Sequence, residues 1–113
     1  MDVHWYHFAF WAHKWAPVGV YWWIVNWHGR LLRRLKRRQG IVIGEWSGVL
    51  SHQGLRRYPK NKHDLLQHEH IARQLAAYKP ADAWFYWTYK TEGAGIWNYR
   101  SLVEGGVDFC DQR

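Results

Sequence analysis

The sequence predicts an α/β domain built on a parallel sheet, and three observations carry that reading. Three short runs rich in aromatic and β-branched residues, at 2–9, 41–46 and 83–89, have the composition of strands. Two stretches of helical character, 17–38 and 63–78, lie between them. The middle run, Ile41-Val42-Ile43-Gly44-Glu45-Trp46, is apolar almost throughout, as in strands covered on both faces. Strands and helices in strict alternation imply crossover connections and parallel pairing. A chain of 113 residues has room for one small domain, and 1–113 reads as a single unit.

Each element has its own justification. Residues 2–9 (DVHWYHFA) are dense in aromatics, and 10–16 read as a loop. Pro17 fits the first turn of a helix and Gly40 the position just past its end. Within that helix, Leu31, Leu32 and Leu35 share a face opposite the basic residues of RLLRRLKRR. The basic end lies at the helix C-terminus, where the macrodipole favours positive charge. Residues 47–62 read as a loop punctuated by Ser, Gly, Pro and Asn. Asn61 resembles the cap of the next helix, 63–78, which Lys79-Pro80 ends. A third aromatic strand (83–89), a Gly-rich loop (90–98), a helical turn (99–104) and a tail (105–113) complete the chain.

Composition narrows the function classes. There are ten Trp and a formal net charge of +7, with six basic residues between Arg30 and Arg38. Flat aromatic faces suit sugar rings and nucleobases alike, and positive charge suits anionic partners. No nucleic-acid motif surrounds the basic run, which reads first as a solvated helix face, so no nucleic-acid partner is expected. A single cysteine, Cys110, gives no disulfide framework. MDVHWYHF lacks a charged segment followed by an apolar run, so no signal peptide is read, and localisation stays unknown. The most apolar stretch, Trp15 to Trp27, falls short of the about 20 residues a stable membrane span needs.

Ligands of parallel α/β folds bind at the carboxyl ends of strands. Glu45 ends the buried middle strand, flanked by Gly44 and Trp46, where a nucleophile or base would sit; capping a helix or pairing with an Arg is the plain alternative. His4 and Tyr6 alternate on one face of the first strand and suit either a carboxylate and sugar hydroxyls or a satisfied buried pair. Trp87 lies near the end of the third strand, as a stacking platform or a core residue. His68 and His70 lie on opposite sides of a helix, and there is no HExxH or Cys pair, so no metal is expected.

These pieces together resemble the exo-β-1,3-glucanase branch of glycoside hydrolase family 5. Asp2, His4 and Tyr6 fit the D-x-H-x-Y order of its sixth strand. Gly44, Glu45, Trp46 and Ser47 fit the G-E-W-S of its seventh, which carries the nucleophile. Trp87, Lys90, Thr91, Glu92, Trp97 and Tyr99 fit the eighth strand and its loop. The resemblance implies the C-terminal portion of a TIM (β/α)8 barrel, about three β/α units corresponding to strands 6–8. It implies a retaining glycoside hydrolase acting on β-glucan, like a glucan 1,3-β-glucosidase, without a cofactor. Glu45 would then be the nucleophile, with Tyr6 and His4 beside it in the catalytic group. Trp87, Trp46, Glu92 and Trp97 would bind a polysaccharide or oligosaccharide substrate.

The pattern also has departures. Three strands cannot close a barrel, and retaining glycosidases need two carboxylates about 5–5.5 Å apart. The branch's acid/base Glu follows an Asn, and no Asn-Glu pair occurs here. The resemblance therefore implies that the acid lies in an N-terminal barrel half, and that these residues alone are inactive. Two other classes stay open: a non-catalytic carbohydrate-binding remnant, and a basic, Trp-rich binder of membrane surfaces or nucleic acid resting on 15–38.

Overall fold

The computed structural model describes residues 1–7, 15–93 and 95–110. Its elements run β1 (Asp2–Trp5), α1 (Val18–Leu35), β2 (Val42–Trp46), α2 (His52–Leu55), a 3-10 turn (Lys60–Lys62), α3 (His63–Tyr78), β3 (Ala83–Tyr86) and α4 (Tyr99–Glu104). The three strands form one parallel sheet in the order β1-β2-β3. The alternation read from the sequence is therefore the alternation found, with the middle run as the central strand.

The elements form where burial supports them. In α1, Val18, Tyr21, Val25, Gly29 and Leu32 recur three or four residues apart and face inward. In α3 the inward face is His70, Ile71, Gln74, Leu75, Ala77 and Tyr78. The two helices pack side by side, and at Gly29 a Cβ would lie only 3.1 Å from that of Ala77, so the glycine permits the close approach. Between helices and sheet sits a core of Val25, Leu32, Ile41, Ile43, Trp46, Ile71, Leu75, Tyr78, Leu102 and Phe109. A smaller cluster of Val18, Tyr21, Leu50 and Leu55 seals the start of α1 against α2.

Boundaries differ from the sequence reading for identifiable reasons. Pro17 is extended and precedes α1 as its N-cap, and residues 36–38 form a turn rather than more helix. The first strand ends at Trp5; Tyr6 and His7 are not strand, and residues 8 and 9 lie outside the described residues, as do 10–14 of the expected loop, Ala94 of the Gly-rich loop and 111–113 of the tail. The third strand stops at Tyr86, short of the expected Tyr89, and the Trp87–Thr88 peptide is cis. The loop 47–62 contains α2 and the 3-10 turn, with the Ser51 side chain accepting from the Gly54 N–H. Asn61 lies inside that turn, and α3 starts after Lys62 with no side-chain cap, so the expected Asn61 cap is corrected. Arg33, Arg34, Arg37 and Arg38 are exposed and Leu32 is wholly buried, as the amphipathic pattern requires.

Candidate active site at the carboxyl ends of the strands

The central strand carries an irregularity that decides the site. Ile43 and Trp46 are both buried on the helix side although they stand three positions apart, an odd spacing that strict alternation would place on opposite faces. The register resolves this. Val3 pairs with Ile43, but the next residue, His4, pairs with Glu45, and on the other side Ile43 pairs with Trp84 while Trp46 pairs with Tyr86. β2 therefore holds one extra residue against both neighbours at Gly44-Glu45, a bulge of the kind that re-aims side chains. Gly44 suits it, because a Cβ there would collide with the Asp2 carboxylate and the His4 ring.

The bulge sets Glu45 beside the residues of β1. The Tyr6 hydroxyl donates to Glu45 Oε2 at 2.6 Å. His4 Nδ1 lies 3.7 Å from the same oxygen, and His4 Nε2 lies 3.4 Å from Asp2 Oδ2. Burial, with the hydrogen bond to Glu45 and the charge of its carboxylate, pushes the Tyr6 phenol well above the usual tyrosine range. Tyr6 is thus a fixed hydrogen-bond donor at physiological pH. Both contacts fall on Oε2, so Oε1 has no partner among the described residues. Glu45 keeps about a third of its side chain exposed (33%) and His4 half (50%).

The other candidates divide. Trp87 follows β3, donates its backbone N–H to Trp46 O at 2.8 Å, and is 50% exposed, so a ring face stays open beside the strand end. Trp46 does not: it is wholly buried, packed edge-on against Tyr78, Trp84 and Tyr86. Its expected place among the substrate-binding residues is corrected, because the extra residue of the bulge turns it into the core. Glu92 is exposed in the loop after β3 and makes no described contact with Glu45. Trp97 is half-buried in the same loop, its carbonyl accepting from the Thr88 N–H at 2.8 Å. The Tyr86 hydroxyl accepts from the Gly48 N–H at 3.1 Å and donates to the Ile96 carbonyl, tying the loops after β2 and β3 together. Among the described residues, no group of three or more His, Cys, Asp or Glu is arranged to hold a metal ion.

Comparison with known proteins points to one class. Over 39 residues the chain is 46% identical to a protein named glucan 1,3-beta-glucosidase from Kluyveromyces lactis and, over another 39-residue match, 46% identical to one of the same name from Yarrowia lipolytica. Over 33 residues it is 46% identical to a probable glucan 1,3-beta-glucosidase D from Aspergillus clavatus. These short matches support a relationship with glycoside hydrolases. They cover 34%, 34% and 29% of this chain, but only 9%, 9% and 4% of the relatives' own lengths. No family model matches the chain.

Sequence reasoning missed two features of this region. The bulge had one visible signal, a glycine inside an otherwise apolar strand. The second is a group of three imidazoles behind the sheet. His7 Nε2 lies 3.2 Å from His28 Nδ1, and the His7 ring meets the edge of His70 at 5.3 Å. These come from β1's exit, α1 and α3, and no spacing in the sequence joins them.

Proposed function

We propose that this chain is part of a retaining glycoside hydrolase of the family 5 type acting on β-glucan, with Glu45 as its nucleophile. In this reading the sheet corresponds to strands 6–8 of a (β/α)8 barrel, and its face opposite the helices to the barrel interior. The observation that carries the proposal is the Tyr6 hydroxyl on Glu45 Oε2, which leaves Oε1 to attack an anomeric carbon. The local similarity to glucan 1,3-beta-glucosidases supports the substrate class. His4 contacts the sugar at the reacting position and, with Asp2, holds Glu45 in place. Trp87 offers its exposed ring to a sugar face.

The second carboxylate of the retaining mechanism is not one that contacts Glu45, so the test must not depend on it. A 2-deoxy-2-fluoro-β-glucoside with a dinitrophenyl leaving group meets that need. Glu45 Oε1 forms the bond to the anomeric carbon, and the aryloxide leaves with its electron pair and needs no proton. Mass spectrometry of the digested protein should then find one fluoroglucosyl group on the peptide bearing Glu45, and none in Glu45→Gln. A label on another residue, or equal labelling of both proteins, would overturn the assignment. Glucans with ordinary leaving groups should turn over slowly, since general acid catalysis contributes about 10²–10⁴-fold.

A further inference from the structure

The outward face of α1 is neither part of the site nor needed by the core. Trp23, Trp27, Arg30 and Arg34 follow one another at helical spacing, on the side opposite Val18, Tyr21, Val25, Gly29 and Leu32. Trp23 is 63% and Trp27 47% exposed, and Val20 and Trp15 are also open at this end. Arg37 and Arg38 continue the basic half beyond the helix and are exposed. The stripe runs about 17 Å from Trp23 to Arg34 at the usual helical rise.

Three observations point to what covers it. First, two tryptophans in solvent are costly, and the neighbouring helix does not shield them: α3 meets α1 along its other flank, where Arg73 lies over Trp22 at 4.0 Å. The half-buried Ile24, Leu31 and Leu35 lie on the opposite flank, so whatever packs there leaves the stripe open. Second, α1 contains no acidic residue, and among the described residues Arg30, Arg34, Arg37 and Arg38 have no carboxylate partner. Lys36, by contrast, is engaged by Asp82. Third, the order along the helix is apolar then basic on one outward face. Trp and Arg are the residues that settle at the boundary between acyl chains and anionic headgroups. No helix among the described residues is long and apolar enough to cross a membrane, so the fit is to a surface.

We propose that the outer face of α1 docks on an anionic phospholipid surface, with Trp23 and Trp27 at the headgroup level and Arg30 and Arg34 on lipid phosphates. A nucleic acid would satisfy the arginines but leave the tryptophans and Val20 without partners on a duplex exterior.

The test is co-sedimentation of the full chain with phosphatidylcholine vesicles containing roughly 30% phosphatidylserine, and with phosphatidylcholine alone, at about 0.1 M salt. Binding should require the anionic lipid. Arg30→Gln/Arg34→Gln should weaken it about fivefold per arginine. Trp23→Ser/Trp27→Ser should weaken it about tenfold or more, from the lost insertion of two indoles. Both pairs are surface changes, and circular dichroism should show the wild-type helix content. Lys60→Gln/Lys62→Gln removes the same charge from another exposed segment and should bind nearly as the wild type does. Equal loss in that control, equal binding to neutral vesicles, no binding to either, or release from vesicles by duplex DNA at equal charge would each overturn the proposal.

Discussion

His70 makes this fold sensitive to mild acid. Its ring is wholly buried in α3, and neither nitrogen meets a hydrogen-bond partner among the described residues. The groups facing it are the rings of His7 and Tyr21, set nearly perpendicular to it, with Arg73 adding positive charge from the next turn of its own helix. Burial first, and Arg73 second, push its pKa down to about 3. The unfolded chain takes up this proton near the ordinary value of about 6.5. Below that pH the unfolded state binds a proton that the folded state refuses. Stability is therefore present in full above about 6.5 and is lost as pH falls toward the folded value. Between pH 7 and pH 5 the loss from His70 is about 2 kcal/mol, from about 1.4 units at 1.36 kcal/mol each. His28, pushed to about 4 by burial, adds about 1 kcal/mol after allowance for its partial exposure. Urea unfolding followed by Trp fluorescence at the two pH values measures this, and a 2 kcal/mol loss moves the midpoint by roughly 1–2 M. In His70→Gln the pH-dependent loss should shrink by about 2 kcal/mol. A wild-type midpoint unchanged from pH 7 to pH 5, or the same loss in His70→Gln, would refute the reasoning.

Other outcomes follow from the bulge. Gly44→Ala should cost about 1–3 kcal/mol by forcing Asp2 and His4 away, and calorimetric melting checks it. It should also abolish fluoroglucosyl labelling of Glu45, since His4 and Glu45 are displaced together. Trp46→Ala should cost about 3–5 kcal/mol, as truncation of a wholly buried aromatic does, and should unfold the chain or nearly so. Trp87→Ala, at a half-exposed position, should stay within about 0.5 kcal/mol of wild type in the same urea titration while weakening sugar binding.

Much of the fold was legible because it rests on local pattern. The helix 63–78 was read with the bounds it has, since its inward residues and the Lys79-Pro80 stop are both written in the chain. The strand ends were not, since a strand ends where its neighbour stops pairing, and the neighbour is remote in sequence. Tyr6, His4 and Glu45 were nominated from their strand-end positions, and the structure brings those three together. Trp46 was assigned to substrate through the resemblance alone, and counting by alternation from the buried Ile43 gives no warning of the extra residue that turns it inward.

The sequence by itself determined the order of elements, the parallel sheet and the position of Glu45, because periodicity and local stops act over a few residues at a time. It also determined the basic, acid-free character of α1. Only the tertiary structure decided which oxygen of Glu45 is held and which is free, since Tyr6 is 39 residues away. It alone decided that Trp46 turns inward, by setting β2 against two strands each shorter by one residue there. It also gathered His7, His28 and His70, from three separate elements, and buried His28 and His70 deeply enough that desolvation is the largest cause of their lowered pKa values.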